Sequence, residues 1–328
     1  MEAQVYDVVV IGGGAAGLSA ALVLGRARRR VAVIDAGQPR NTPAAHMQGY
    51  LSRDGMSPAQ LLETGRAEVR QYGVEVIEDR VTGIEPGFYV RAGGSVLRAR
   101  RVLITTGVSD ELPDLPGVRE RWGRDLLHCP YCHGWEVRDQ PLGVLGTSPD
   151  AVEHALLVRQ WSPDVVFFAH NSRLTAAEHR QLTARGIDVI PGEVAGLVVE
   201  DDRLTGVALA DGRVVPRAAV FVRPVNVPHP DGLLAHLGCD LDDGRFPVTD
   251  RTGRTTAFGV WAAGNAADPR AQVITSAGAG SAAAIAINAD LVAEDVERAV
   301  EDAMAAPFSS AMEARVAELI AGDARHGL

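Results

Sequence analysis

The sequence contains no lysine. Its 32 fixed side-chain cations are all arginine, set against 42 acids for a formal net charge of −10. An acidic chain lacks the basic surface that a nucleic-acid partner requires, and the arginine clusters at 26–30 and 98–101 read as solvated ends of a helix and a strand. Aromatic residues make up only 5%, so the 46% hydrophobic content is chiefly aliphatic, as in alanine- and glycine-rich α/β proteins. Cysteine is as scarce: three residues exclude a secreted disulfide framework. They also fall short of a structural zinc site, which takes four ligands, so no metal is expected. No apolar run approaches the roughly 20 residues of a membrane span, and the chain opens on a strand pattern and not on a signal peptide. The expectation is a cytoplasmic protein with no membrane partner, long enough at 328 residues for two domains.

What is present is concentrated in one stretch, Cys129-Pro130-Tyr131-Cys132-His133-Gly134-Trp135-Glu136. Cysteines at i and i+3 with a proline between them fit the first turn of a helix, where the missing proline N–H is no loss. Helix N-terminal N–H groups favour a thiolate, and His133 can take or give a proton in the same pH range. The pattern reads as a thiol–disulfide exchange centre. Two competitors share it: c-type haem attachment, which belongs to exported proteins, and an inert buried cysteine pair.

The start of the chain offers an electron acceptor. Residues 6–11 form a nearly continuous apolar run, as in a parallel strand buried on both faces. Gly12-Gly13-Gly14-Ala15-Ala16-Gly17 follows, then an alanine- and leucine-rich helix to about Arg26, a strand at 31–34, and Asp35, 18 residues after Gly17. Strand, glycines, helix, strand and terminal acid in this order are a dinucleotide fingerprint. Gly12 permits the turn, Gly14 admits a pyrophosphate, Gly17 allows close packing, and Asp35 can meet a ribose. A helix capped at Ser57, short strands near 74–77, 81–84, 88–91 and 96–99, and a buried strand at 102–105 complete the first domain.

A second βαβ unit begins at 142–145, with helices over about 150–161 and from Thr175 to Gly186, then strands near 187–190, 194–199, 204–209, 213–215 and 220–223. A proline-rich segment (224–230) leads back. Then come a strand ending in Ala263-Gly264-Asn265, a small-residue helix at 275–293 and a helical segment at 310–321. The expected domains are 1–117, an insert at 118–245 carrying the cysteines, and 246–328.

This order of parts resembles the low-molecular-weight thioredoxin reductases, and the resemblance covers essentially the whole chain. It rests on the Gly12–Gly17 fingerprint with Asp35, on Thr105-Thr106-Gly107, and on Ala263-Gly264-Asn265 followed by Gln272-Val273-Ile274-Thr275. It implies an α/β fold of two Rossmann-like domains, a split FAD domain with a nicotinamide-type domain inserted, and a homodimer in which 275–293 packs on a second copy. The FAD contacts implied are Gly12, Gly14, Ala15, Ala16 and Gly17, then Asp35 and Ala36, then Arg40, Asn41, His46 and Val81. Thr106, Gly107, Gly264, Asn265, Gln272 and Val273 complete the set. The family usually has aspartate where Asn265 stands, and Arg270-Ala271-Gln272 departs from its Arg-Gln pair by one residue.

The insert departs further. Where the family reads G-x-G-x-x-A, this chain has Gly146-Thr147-Ser148-Pro149-Asp150-Ala151: Ser148 adds a Cβ and Asp150 an anion at the phosphate site. The family's cationic grip on a 2′-phosphate is replaced by His170-Asn171-Ser172, and its Gly-x-x-Pro-Asn by Arg223-Pro224-Val225-Asn226. Much of the affinity for NADPH is expected to be lost. The motif Cys-Pro-Tyr-Cys-His-Gly-Trp-Glu resembles that of the flavin-dependent dithiol oxidases of holomycin- and gliotoxin-type biosynthesis. That resemblance implies a small dithiol and dioxygen as partners, Cys129 as the sulfur that meets substrate, Cys132 as the sulfur against the flavin, and His133 as acid/base. A reductase serving a thioredoxin-like protein, with NADPH or a ferredoxin-type donor, and a non-enzymatic flavin redox sensor are the alternatives. Trp135 is placed either at a substrate slot or in the core, His128 in a structural role, His154 and His170 at the surface or in packing, and Cys239 as a small hydrophobe.

Overall fold

The computed structural model describes residues 4–229, 232–305 and 310–323, so Pro230 of the proline-rich return lies outside the described residues. Two compact units result, 1–286 and 287–328.

In the first unit, β1 (Gln4–Ile11) runs parallel to β2 (Val31–Asp35) across α1 (Ala15–Arg26), in register from Val8↔Val31 to Ile11↔Ile34. α2 (Pro58–Arg70) starts at Ser57, whose hydroxyl accepts from the Gln60 N–H, with Pro58 at the position where its missing N–H costs nothing. β3 (Glu75–Glu78), β4 (Val81–Glu85), β5 (Tyr89–Ala92) and β6 (Ser95–Ile104) complete a sheet of order β3-β2-β1-β6-β5-β4. Sequence reading breaks β6 in two at its arginines. The strand is continuous because Arg100 is matched by Asp7 on β1 at 2.9 Å, so a charged position is satisfied without leaving the sheet.

The chain then crosses to the insert through β7 (Val108–Glu111) and α3 (Val118–Arg121). The insert holds β8 (Leu126–Leu127), α4 (Pro130–His133), β9 (Leu142–Leu145), α5 (Ala151–Val158), β10 (Val165–Phe168), α6 (Ala176–Ala184) and β11 (Ile187–Ile190). A meander of β12 (Val194–Glu200), β13 (Arg203–Leu209) and β14 (Val214–Pro216) precedes β15 (Ala219–Phe221). The five-stranded sheet β11-β10-β9-β15-β8 is buried on both faces. α5 and α6 cover one face, through Val152, Ala155, Val158 and Leu182; the meander covers the other, through Val194, Leu204, Val207 and Leu209. α6 begins with a reciprocal capping box of Thr175 and Glu178.

The return strand β16 (Val225–Pro228) pairs antiparallel with β7, so the two crossings form one ribbon with Asn226 opposite Asp110. Leu233 of α7 (Leu233–His236) and Cys239 lie in the core of the first domain, with Leu234 packed against them; burying Leu233 contributes about 2 kcal/mol. β17 (Val260–Ala262) joins the open end of β6, and α8 (Val273–Ala305) follows.

Over Val273–Met304, α8 is long and apolar enough to cross a membrane by length and composition, a test that core helices of soluble proteins also pass. Its opening turns are packed within the first unit, with Gly280 so close to the Ala16 backbone that a Cβ would overlap it. The second unit holds the remainder of α8 and α9 (Ser310–Asp323), with Val292, Val296, Val300 and Met312 exposed.

Candidate active site

The turn after β1 is shaped by contacts that only glycine permits. Gly12 has φ +108°, and a Cβ there would strike the Thr105 carbonyl; a Cβ on Gly17 would strike the Gly12 carbonyl. The Thr105 hydroxyl ties the end of β6 to this turn, 3.0 Å from the Ile11 carbonyl and 2.8 Å from that of Gly12. Gly14 faces open space, and α1 begins behind it with no side-chain cap. Exposed first-turn N–H groups beside an open glycine fit the pyrophosphate of a dinucleotide. Asp35 ends β2 at this cradle, with one carboxylate oxygen 2.7 Å from Arg66 Nη2.

A continuous cavity of about 1140 Å³ runs from this cradle to the cysteines. Gly12, Gly14, Ala15, Ala16, Asp35, Arg40, Asn41, His46, Thr106, Gly107, Gly264, Asn265, Gln272 and Val273 line it, as do Cys129, Cys132 and His133. Three expected contacts do not: Gly17 is spent on packing, Ala36 lines a smaller pocket beyond Asp35, and Val81 is a core residue of β4.

Cys129 caps α4 with Pro130 in its first turn, and the two sulfurs are joined as a disulfide. The N–H groups of Cys132 and His133 both donate to the Cys129 carbonyl, at 3.1 Å. Cys132 faces the first domain, with its sulfur 3.9 Å from Gln272 Nε2. Burial holds His133 below the ordinary histidine pKa, with Glu136 opposing the shift, so the ring is neutral near pH 7 and able to accept a proton. Tyr131 and Trp135 project into solvent at 64% and 66% exposure, which removes Trp135 from the core; the Arg138 guanidinium stacks on its ring.

Half-buried His128 and buried His154 pair beside the cavity. His154 is 2% exposed, lies edge-on to His128 and Phe221, and its Nε2 is 2.9 Å from the His128 carbonyl. That makes Nε2–H the donor. Burial, with Arg40 near one ring and His128 and Arg223 near the other, pushes both pKa values down to about 4. His154 is thus a packing residue, not a surface one. His170 Nδ1 accepts from the Val194 N–H at 3.0 Å, and Cys239 is buried, which pushes its thiol pKa up.

Arg40 departs from its expected role as a cofactor contact alone. It holds both oxygens of Asp110 and donates to the Pro269 carbonyl at 3.0 Å. Asp110 and Asn226 were legible in the sequence only as linker residues, because nothing local marks a partner that lies on another strand.

At the insert's glycine turn, the Asp150 carboxylate lies 2.6 Å from Arg223 Nη1 and accepts from the Ser148 hydroxyl at 2.9 Å. An anion and its own counter-ion thus stand at the N-terminus of α5, the place where a pyrophosphate would be bound. The sequence shows each residue as a departure; their pairing is visible only in the fold.

Two βαβ turns, one with an open glycine and one with an ion pair at its helix N-terminus, and a C-x-x-C disulfide on the shared cavity define a flavin-type disulfide oxidoreductase. Residues 6–284 match the family described as pyridine nucleotide-disulphide oxidoreductase, and the chain belongs to it. It is 31% identical over 319 residues to the protein named thioredoxin reductase sirT of Leptosphaeria maculans, covering 89% of this chain and 96% of that one. The crystal structure of HlmI matches with a TM-score of 0.89 and 61% identity, over 91% of this chain and 96% of that one. An oxidoreductase from Agrobacterium tumefaciens matches with a TM-score of 0.84 and 36% identity, over 88% and 99%. The chain is therefore an FAD-dependent disulfide oxidoreductase of the thioredoxin reductase-like type, as the order of its motifs implied.

Proposed function

We propose that the chain is a dithiol oxidase that closes a disulfide in a small-molecule or peptide dithiol, with dioxygen as the final oxidant. The Asp150–Arg223 pair carries this proposal, because it supports an enzyme that draws no electrons from a nicotinamide nucleotide. Gly12, Gly14, Ala15, Ala16 and Asp35 would hold the adenosine diphosphate part of FAD, and Thr106, Gly107 and Val273 would lie along its flavin part. The chemistry FAD supplies when bound is a two-electron path from the reduced cysteine pair to dioxygen, which leaves as peroxide.

The chain's own residues perform the exchange. A substrate thiolate attacks the Cys129 sulfur; the Cys129–Cys132 bond breaks and Cys132 leaves as a thiolate. The second substrate thiol, once deprotonated, attacks the substrate sulfur of the mixed disulfide. The product disulfide forms and Cys129 is released as the leaving group. His133, neutral near pH 7, accepts the proton from the incoming thiol. The helical turn at Pro130 sets the two Cα atoms 5.2 Å apart, close enough for the disulfide to re-form.

The test is purified yellow protein mixed in air with dithiothreitol, and separately with NADPH, while oxygen and nicotinamide absorbance are followed. Dithiol-dependent oxygen uptake that disappears in Cys132→Ser supports the oxidase. Rapid NADPH oxidation would instead support a reductase, the activity named for the Leptosphaeria maculans relative. Flavin reduction without turnover in air would point to a redox sensor. A homodimer and a cytoplasmic location belong to the same proposal; sedimentation and a fluorescent fusion test them.

A further inference from the structure

We infer that Gln272 stabilises the Cys132 thiolate, and that Asn265 is the positioning residue that holds Gln272 against it. This rests on Cys132 being the sulfur turned toward the flavin side, as in the proposed oxidase.

Among the described residues, the Gln272 amide is the polar side-chain group within reach of either exchange sulfur, at 3.9 Å from Cys132 with the disulfide closed. An N–H donor gains little from a neutral disulfide sulfur. After reduction the same donor faces a full negative charge, and charge-assisted hydrogen bonds are shorter and about twice as strong. The contact therefore favours the thiolate over both the disulfide and the thiol. α8 adds to it: Gln272 immediately precedes Val273, and the Ser276 N–H donates to its carbonyl at 2.8 Å, the first helical bond. The first-turn N–H groups of a 33-residue helix, which have no acceptor inside it, gather at the same end as the sulfur.

The loop before Gln272 explains why the amide arrives there. Asn265 Nδ2 lies 3.0 Å from the Asp268 carbonyl, 3.3 Å from that of Pro269 and 2.9 Å from that of Ala271. Arg40 donates to the same Pro269 carbonyl. Only a donor can bridge three carbonyls, so an aspartate at 265 would face them without a proton to share. The amide at 265 thus braces the loop that delivers Gln272.

The test reads acidity, not turnover. In holoprotein carrying Cys129→Ser, Cys132 is a free thiol, and its alkylation by iodoacetamide is followed against pH with mass spectrometry at that residue. The buried Cys239, with its raised pKa, is resolved as a separate peptide. Adding Gln272→Leu should raise the Cys132 midpoint by about one pH unit. Gln272→Glu should raise it further by like-charge repulsion, and Asn265→Asp should raise it by less than either. Should one substitution at 272 prevent folding, the other decides. Midpoints unchanged on substitution at 272 overturn the inference. Wild-type protein that takes up no oxygen with any dithiol would defeat the oxidase proposal separately and leave this titration standing.

Discussion

Arg40 and Asp110 meet in a two-pronged ion pair, with Nε 2.9 Å from Oδ2 and Nη2 2.7 Å from Oδ1. Asn226 donates to that same Oδ1 at 2.7 Å, so one carboxylate fastens a first-domain loop to both strands of the crossing ribbon. Both partners are mostly buried, and removing one leaves the other charge uncompensated. Asp110→Ala should cost about 3 kcal/mol in denaturant unfolding and expose the ribbon to proteases, with Asp110→Asn costing less. An unchanged unfolding midpoint in the alanine variant would show that the pair does not hold the ribbon.

Under the proposed function, removing the Asp150–Arg223 pair should strengthen nucleotide binding at the insert. With Ser148→Gly and Asp150→Ala together, the turn loses its extra Cβ and its anion, and Arg223 is freed as a phosphate partner. NADPH-driven flavin bleaching under nitrogen should rise at least about tenfold, the effect of roughly 1.4 kcal/mol of binding. If the double variant bleaches no faster than the parent, the ion pair is not what excludes the nucleotide.

Stability should fall in mild acid. His128 and His154 have folded pKa values of about 4, below the ordinary 6.5. Above pH 6.5 both are neutral, folded or unfolded, and cost nothing. As pH drops from about 6.5 to 4 the unfolded chain takes up protons that the folded chain refuses, so stability declines by up to about 1.4 kcal/mol per pH unit for each ring. Below pH 4 the loss is complete. His154→Phe should flatten the slope between these limits; an equally steep curve in that variant would place the protons elsewhere.

The rate should follow His133 instead. Its pKa lies below the ordinary value because of burial, so the acid limb of kcat/KM for dithiothreitol should have its midpoint under 6.5. His133→Gln should lower kcat/KM by about a hundredfold at neutral pH and abolish that limb. A limb that survives the substitution assigns the base to another group.

Local patterns were sufficient for the elements. The Gly12–Gly17 turn, the capping box at Thr175 and Glu178, and Pro130 in the first turn of α4 are each decided by residues within a few positions of one another, through sterics and short hydrogen bonds. Patterns misled where a distant partner changed the meaning of a residue. The arginines of β6 looked like a break until Asp7 matched Arg100, and Leu233 and Leu237 looked like insert until the first core took them.

The sequence by itself determined that this protein carries a C-x-x-C pair at the start of a helical turn and one sound dinucleotide turn, since both are properties of consecutive residues. Only the tertiary structure decided that Asp150 finds Arg223, that Asp110 finds Arg40, and that Gln272 reaches Cys132 across 140 positions of chain. Charge and hydrogen-bond pairing depend on distance in space, and a fold brings together groups whose separation along the chain says nothing of that distance.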